Sequence, residues 1–248
     1  MSVFGGPNVT DSGLVLNLDA GNVKSYPGTG TIWYDKSGYQ NNGILTNGPT
    51  FSGGTILLDG TDDYINCGTG STLTFNNGTD LNDVPFTMGV WVKFNSVSGY
   101  QLVIAKSDYG SSPNKREFLF FTNADKKIHF NLMNSNSYVD RIGRYYNTEL
   151  VTNIWYNMFV TYNGSKLESG IKIYINGVRV DNTSDSLGTY SGLSRTTTPF
   201  CFGTDWNNYP TQGNELSGFY GIAVVYRREL SQEEITQNFN ALRSRYGI

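Results

Sequence analysis

The sequence predicts an all-β fold, a single jelly-roll β-sandwich of two antiparallel sheets with one short C-terminal helix. Short segments in which apolar and polar residues alternate recur along most of the chain, as expected for strands with one buried face. Turn residues separate them, and the clearest turn is Asn176-Gly177 between two alternating runs, which is the strongest short hairpin signal. A helical apolar pattern that begins with a capping motif follows Ser231.

Three strands and one long loop are predicted for residues 13–67. Residues 13–19 form the first strand, with alternate leucines on one face. Residues 20–54 are dense in Gly, Asn, Ser and Thr, which is typical of a loop, and Trp33 is the side chain expected to anchor it. Residues 55–58 and 64–67 then form two short strands on either side of an acidic turn.

The middle of the chain contains the clearest strand pattern, Phe86–Phe94. Its even positions are all apolar and are expected to face the core. Further strands are predicted at the close spacing of a sandwich, at residues 101–106, 118–122, 127–133, 137–142, 155–162, 171–175, 178–180 and 199–203.

Residues 215–246 are the stretch relative to which the other predicted elements are placed. Residues 216–226 are rich in β-branched and aromatic residues and read as a buried strand. Ser231 stands three residues before Glu234, which is the spacing of a capping box. The helix that follows has one apolar face, formed by Ile235, Phe239, Leu242 and Tyr246. No linker divides the chain, so we expect an N-terminal arm at residues 1–12 and one sandwich domain at residues 13–248.

Composition excludes several classes of partner. The net charge is −3 and no run of Lys or Arg is present, so we expect no nucleic-acid binding. No apolar run approaches the ~18 residues of a membrane span, and residues 1–7 show no secretory signal. Without export, Cys67 and Cys201 are expected as free buried thiols, with a disulfide between them as the alternative.

Three segments, in order, resemble the concanavalin A-like lectin/glucanase superfamily in its laminin G-like, pentraxin-like branch. Leu57–Ile65 is similar to the branch's FDG-x-DDYV strand pair. Phe86–Lys93, Trp155–Tyr162 and Ile173–Gly177 are similar to its FTISVWVK, W-x-x-V-x-x-Y and IYING segments. The third segment, Gly218–Ile235, is similar to G-x-I-x-x-V-x-IYNRALS-x-EEI. The resemblance covers about residues 13–246 and implies the jelly-roll fold.

The resemblance also carries functional expectations. Chains of this kind that end near FNALRSRYGI are similar to capsid-surface or tail-associated proteins of bacteriophages. It implies a virion protein, made in the host cytoplasm, with other virion proteins as partners and a homo-oligomer as one arrangement. Many relatives hold a structural Ca²⁺ with an Asp on the last strand, but Gly221 occupies that position here.

The residues give no pattern for catalysis, and we expect a protein that is not an enzyme. A retaining glycosidase needs two carboxylates about 5–5.5 Å apart, and no strand carries two Glu residues on one face. The single histidine, His129, is expected to point to solvent, opposite the apolar face of its strand. No serine elbow, phosphate loop or zinc spacing is present.

Two loops have the composition of a carbohydrate site, in which an aromatic face is bordered by polar side chains. The first is Asp205, Trp206, Asn207, Asn208 and Tyr209. The second contains Tyr138, Arg141, Arg144, Tyr145 and Tyr146, in which Arg could stack on a sugar or bind an acidic one. The alternatives are a loop anchor for Trp206 and a subunit contact for the tyrosines.

The acidic turn is the candidate metal site. Asp59, Asp62 and Asp63 offer hard oxygen ligands suited to Ca²⁺, and Asp19 is a weaker candidate for the same region. The alternative is that these Asp residues only build the turn, so a structural calcium is doubtful and no other cofactor is expected.

Together these observations predict a non-enzymatic bacteriophage surface protein, in the capsid decoration, a fibre or the tail, that adheres through carbohydrate-binding loops to a host-surface glycan. A free lectin-like module is the alternative, and a glycoside hydrolase is a disfavoured second alternative.

Overall fold

The described residues form seventeen strands and one α-helix. The structure is a computed structural model that describes residues 8–76, 81–108, 115–134, 139–206 and 214–248. The first seven strands are β1 (Leu14–Asp19), β2 (Ile32–Trp33), β3 (Gly43–Thr46), β4 (Thr50–Ser52), β5 (Thr55–Asp59), β6 (Tyr64–Asn66) and β7 (Phe86–Phe94). The middle strands are β8 (Gln101–Asp108), β9 (Lys115–Thr122), β10 (Ile128–Met133), β11 (Arg141–Tyr145), β12 (Trp155–Tyr162) and β13 (Ile171–Ile175). The last are β14 (Val178–Arg179), β15 (Thr183–Ser184), β16 (Cys201–Phe202) and β17 (Ser217–Tyr226), followed by helix α1 (Gln232–Leu242). Short 3-10 turns lie at Ser71–Leu73, Glu168–Gly170 and Arg243–Tyr246.

These strands form two antiparallel sheets. The eight-stranded sheet has the order β14-β13-β12-β7-β17-β5-β4, with β1 also paired to β17. The nine-stranded sheet has the order β15-β11-β10-β9-β8-β16-β6-β3-β2. The predicted fold, a jelly-roll sandwich with one short C-terminal helix, is confirmed.

Strand β17 joins three neighbours in the eight-stranded sheet. It pairs with β7 along one edge, from Gly218 to Tyr226. On its other edge its first half pairs with β5 and its second half with β1. The change of partner occurs at Gly221, where the register with β7 shifts and the Gly221 carbonyl accepts a hydrogen bond from Ala20 N at 2.9 Å. This is the place of a β-bulge.

The main core lies between the two sheets. The even positions of β7 are buried in it, as the sequence predicts, and so is Trp33, which is fully buried. Burial of apolar area at roughly 25 cal/mol per Å² is the main force that holds two such sheets face to face.

Helix α1 covers the outer face of the eight-stranded sheet. Ser231 and Glu234 form the predicted capping box. The ring of Trp91, an odd position of β7, stacks on Phe239 of the helix and on Tyr246 of the turn after it. Residues 8–12 also pack here, because Thr10 N donates to Asn238 Oδ1 at 2.7 Å and the Tyr226 hydroxyl donates to Thr10 O at 2.9 Å. The described helices include none that is long and apolar enough to cross a membrane.

Two predicted elements differ from the structure. The predicted loop at residues 20–54 contains β2, β3 and β4, each of only two to four residues. The strand predicted at residues 137–142 lies at Arg141–Tyr145, and residues 137 and 138 fall outside the described residues.

The prediction that His129 faces solvent is wrong. Its side chain is only 6% exposed, because its ring lies between Phe121 and Tyr145, with ring centroids 5.3 and 4.6 Å away. The outer face of the nine-stranded sheet carries a second apolar cluster that includes Phe121 and Met133. The predicted alternation of inward-facing and outward-facing side chains along β10 is correct, but the outward-facing side chains are buried as well.

The two cysteines are free and buried. Cys67 belongs to the main core with Ile65, two residues before it, whereas Cys201 lies opposite Asn66 on the neighbouring strand. Because alternate residues of a strand point to opposite faces, the two side chains lie on different faces of the sheet. A disulfide between them is therefore excluded without a change of the backbone.

Candidate functional site

The acidic turn between β5 and β6 brings three carboxylates together. One oxygen from each of Asp59, Asp62 and Asp63 lies within 4.8 Å of the others. Gly60 has φ of +79°, and a Cβ there would lie 2.7 Å from Ser217 Cβ, so the turn needs glycine at this position. Asp59 Oδ1 accepts from Thr61 N at 2.7 Å, and Asp63 Oδ2 accepts from Asp59 N at 3.1 Å. Two of the carboxylates thus build the turn, as the alternative reading supposed.

Asp63 is the buried member of this group. Burial raises the pKa of its carboxyl above the usual value, and the negative charges of Asp59 and Asp62 raise it further, against a backbone hydrogen bond that lowers it. A hard cation bound by the three carboxylates would relieve this repulsion, and the donor set suits Ca²⁺. Asp59, Asp62 and Asp63 are therefore the residues that could hold a calcium ion.

Asp19 does not belong to this group, which corrects the predicted metal ligand set. It lies opposite Ile222 on β17, whereas Asp59 lies opposite Ser217. Five residues along a strand separate the two positions by roughly 17 Å. Asp19 Oδ1 instead forms an ion pair with Arg245 Nη1 at 2.6 Å.

Trp206 lies beside the acidic turn. Its partly exposed ring meets the ring of Tyr64 edge to face, with centroids 6.4 Å apart and an interplanar angle of 83°. Tyr64 directly follows Asp63, so the aromatic pair lies next to the β5–β6 turn that carries the three carboxylates. We call this set, Asp59, Asp62, Asp63, Tyr64 and Trp206, the acidic rim.

The loop that carries Trp206 is fixed by β8. Trp206 N donates to Ser107 O at 2.9 Å, and Ser107 Oγ donates to Asp205 Oδ2 at 3.1 Å. The backbone contact and the ring contact support the predicted anchor role, while the partial exposure leaves a ring surface for a ligand. The predicted residues Asn207, Asn208 and Tyr209 lie outside the described residues.

The second predicted loop lies on β11, far from the acidic rim. Five strand spacings separate β11 from β6 in the nine-stranded sheet, which is roughly 24 Å. The two loops therefore cannot form one site.

The arginines of β11 are already paired with carboxylates. Arg141 Nη2 lies 2.8 Å from Asp185 Oδ1, and Arg144 Nε lies 2.7 Å from Asp181 Oδ2. Tyr145 stacks on His129, and Tyr146 packs against the main core. Tyr138 lies outside the described residues. These contacts give the β11 residues structural roles and make the acidic rim the stronger candidate.

Tyr64 is the site residue that sequence reasoning missed. A signal was present, because Tyr64 precedes the apolar Ile65 in a strand and must point to the opposite face. The sequence could not show that Trp206 lies next to it, since that contact depends on the pairing of β6 with β16.

The chain matches a protein-family model over most of its length. The family model described as concanavalin A-like lectin/glucanases superfamily, of the laminin G type, matches residues 59–236. This chain belongs to the concanavalin A-like lectin/glucanases superfamily. The matched residues include the acidic rim and the central strand β17. No curated protein matches the chain significantly in sequence.

Several solved structures are similar in fold to this chain at low sequence identity. A mutant of Trypanosoma rangeli sialidase displaying trans-sialidase activity superposes with a TM-score of 0.67 at 13% identity, over 98% of this chain and 35% of that chain. The binding domain of Paraclostridial Mosquitocidal Protein 1 matches with a TM-score of 0.62 at 17% identity, over 92% and 52%. The binding domain of Botulinum Neurotoxin DC in complex with SialylT matches with a TM-score of 0.62 at 16% identity, over 94% and 52%. The chain spans about a third to a half of the length of these structures, and identities this low show the shared fold.

The expectation that the protein is not an enzyme is contradicted. It came from the lack of a glucanase carboxylate pair on one strand, but several of the similar structures are sialidases, which hydrolyse glycosidic bonds with a Tyr nucleophile. Part of each sialidase structure thus has a fold similar to that of this chain. The missing pattern therefore gives no ground for excluding an enzyme.

Proposed function

We propose that this protein binds glycans at the acidic rim. The observation that carries the proposal is the partly exposed ring pair of Trp206 and Tyr64 beside three clustered carboxylates. An aromatic face packs against the C–H face of a sugar ring, and carboxylates accept hydrogen bonds from its hydroxyls. Similar structures include a toxin binding domain in complex with SialylT, which supports a glycan as the ligand class.

Trp206→Ala is expected to lower glycan retention at least tenfold, because it removes the larger stacking surface. The measurement is binding of the purified protein to a glycan array and to host-cell polysaccharide, with the melting temperature recorded for each variant. Tyr39→Ala is the matched control, since Tyr39 is an aromatic residue that is 56% exposed and lies outside the acidic rim. Equal retention by Trp206→Ala and wild type, with both folded, would remove the acidic rim as the site.

The same assay addresses the three carboxylates. If Asp59, Asp62 and Asp63 hold a calcium ion, glycan binding is expected to be weaker after chelation than in the presence of calcium. Asp62→Asn is then expected to cause the same loss of glycan binding without chelation. Binding that is unaffected by both changes would leave the carboxylates as turn residues and direct hydrogen-bond acceptors only.

We also propose that the glycan-binding domain is carried on a virion, where it contacts other virion proteins. The support is the resemblance of the C-terminal segment to bacteriophage structural proteins. Mass spectrometry of purified particles is expected to find the chain at a structural copy number. Its absence from particles would leave a free lectin-like protein.

A further inference from the structure

A second cleft lies on the opposite side of the molecule from the nine-stranded sheet. It opens on the outer face of the eight-stranded sheet, between the last turn of the chain and the β4–β5 turn. One wall is Trp155, Arg245 and Tyr246, and the other is Gly53, Gly54 and Thr55. Its volume is about 320 Å³, which is in the range of sites for small ligands. We call it the C-terminal cleft.

The aromatic wall of the C-terminal cleft is held in place from behind. The Tyr246 ring stacks on Trp91 with centroids 4.2 Å apart and planes 15° apart. Trp155 leans on Tyr246 at 4.7 Å and is partly exposed. A rigid, partly exposed indole gives a stacking surface that loses little conformational entropy when a ligand binds.

The charges around this wall are mostly positive. Arg245 reaches Asp19 through Nη1 at 2.6 Å, while its side chain is 41% exposed and retains further donors. Lys93 Nζ lies 5.5 Å from the centroid of the Trp155 ring and 4.3 Å from that of Phe219. Among the described residues, no carboxylate forms an ion pair with Lys93. Arg245, paired with Asp19, thus lines the cleft, and the Lys93 ammonium lies near the Trp155 ring that forms part of the same wall.

The opposite wall is open because two of its three residues are glycine. Gly53 and Gly54 have φ of +58° and +77°, a conformation that other residues rarely adopt. Without side chains, the backbone of this turn leaves room for a ligand to approach closely.

We propose that the C-terminal cleft binds a carboxylate-bearing saccharide unit, with the sugar ring against Trp155 and the carboxylate bound by Arg245 and Lys93. The stacking surface selects a ring with an apolar face, and the guanidinium fork matches a carboxylate. Asp19 keeps Arg245 oriented and can accept a sugar hydroxyl. The inference requires that the protein binds glycans, but its site is separate from the acidic rim and uses a different sheet.

The test compares variants of the two sites against four saccharides. Sialyllactose and lactose differ by the sialic acid, and a hyaluronan tetrasaccharide and its carboxyl-reduced form differ only in glucuronate charge. Affinities are measured by calorimetry for wild type, Arg245→Ala, Lys93→Gln and Trp206→Ala. Arg243→Ala is the matched control, because Arg243 lies in the same turn but over Phe239.

We expect at least one acidic saccharide to bind tenfold or more tightly than its neutral counterpart. Arg245→Ala and Lys93→Gln are expected to abolish that preference, while Arg243→Ala leaves it intact. Sialyllactose and the hyaluronan fragment distinguish sialic acid from uronic acid as the source of the carboxylate. Ion pairs at the protein surface contribute little stability, so the loss of Arg245, whose side chain is 41% exposed, is expected to change the melting temperature little.

Other outcomes separate the two proposals. Acidic saccharides that bind Arg245→Ala as tightly as wild type but fail to bind Trp206→Ala would overturn the C-terminal cleft and leave the acidic rim standing. Equal affinity for charged and neutral saccharides would overturn the carboxylate specificity. Binding of no saccharide on a broad array would overturn both.

Discussion

At the scale of single residues, the environment of each cysteine decides its chemistry. Burial raises the pKa of the Cys67 thiol well above its ordinary value, with smaller contributions from Cys201 and Asp35. Burial likewise raises the pKa of Cys201, and the charge of Asp205 adds to it. A thiol attacks reagents as the thiolate, so both side chains are expected to be inert in the folded protein.

This expectation is measured with a chromogenic thiol reagent at pH 8. The native protein is expected to show no reactive thiol within minutes, and the protein in guanidinium without reductant is expected to show two. Zero thiols in guanidinium would mean a disulfide and would contradict the placement of the two side chains on different faces of the sheet.

At the scale of elements, the C-terminal turn Arg243–Tyr246 packs closely against β17 at Gly221. A Cβ at Gly221 would lie 2.2 Å from the Tyr246 hydroxyl oxygen, so Gly221 leaves the space that this side chain fills. Gly221 also replaces the acidic metal ligand expected from the family resemblance. The partly buried Tyr246 side chain thus lies over this strand position in place of a carboxylate.

Gly221→Ala is expected to destabilise the protein by about 1–3 kcal/mol, because Tyr246 must move out of the packed interface with Trp91. Urea unfolding of Gly221→Ala, Tyr246→Ala and the double variant measures the coupling. In the Tyr246→Ala background the glycine substitution is expected to cost much less. Additive effects would show that the two residues do not interact as described.

Some elements were predictable from the sequence and others were not. The capping box predicted the start of α1, and alternation predicted which side of β7 faces the core. The strands missed in residues 20–54 are too short for a periodic pattern and are held by pairing with β5, β6 and each other. His129 was misplaced because alternation separates the two faces of a strand but does not tell whether the second face is covered.

The candidate sites likewise differ in whether the sequence could predict them. The acidic turn was predictable, since Asp and Gly residues clustered between two short strands bring their side chains together locally. The contact of Trp206 with Tyr64 joins residues 142 positions apart, and the C-terminal cleft joins residues from four parts of the chain. Such sites depend on long-range pairing, which local patterns do not specify.

At the scale of the whole molecule, the outer surface of the nine-stranded sheet contains charges that link stability to pH. Burial raises the pKa of Asp185, but hydrogen bonds from His129 and Arg141 outweigh this and hold the pKa below its ordinary value. The ionised carboxylate therefore contributes stability that is complete above about pH 4, the unfolded value, and is lost as the pH falls through the lower folded value.

Asp185→Asn is expected to be less stable than wild type at pH 7 and to lose less further stability between about pH 4 and pH 2. Urea unfolding at a series of pH values measures both. Asp185 links the segment after β15 to β10 and β11, so the effect is expected in the global transition. Parallel stability curves for the two proteins would contradict the pH linkage.

The position of β17 has a consequence for how the protein is made. The strand that joins β7, β5 and β1 is made after all three of them, because it follows them in the chain. Until it emerges, those three strands have unpaired edges, which are prone to join other chains. The nascent polypeptide therefore cannot complete its eight-stranded sheet until residues 217–226 have emerged, and a ribosome that stalls before residue 217 would release an aggregation-prone fragment.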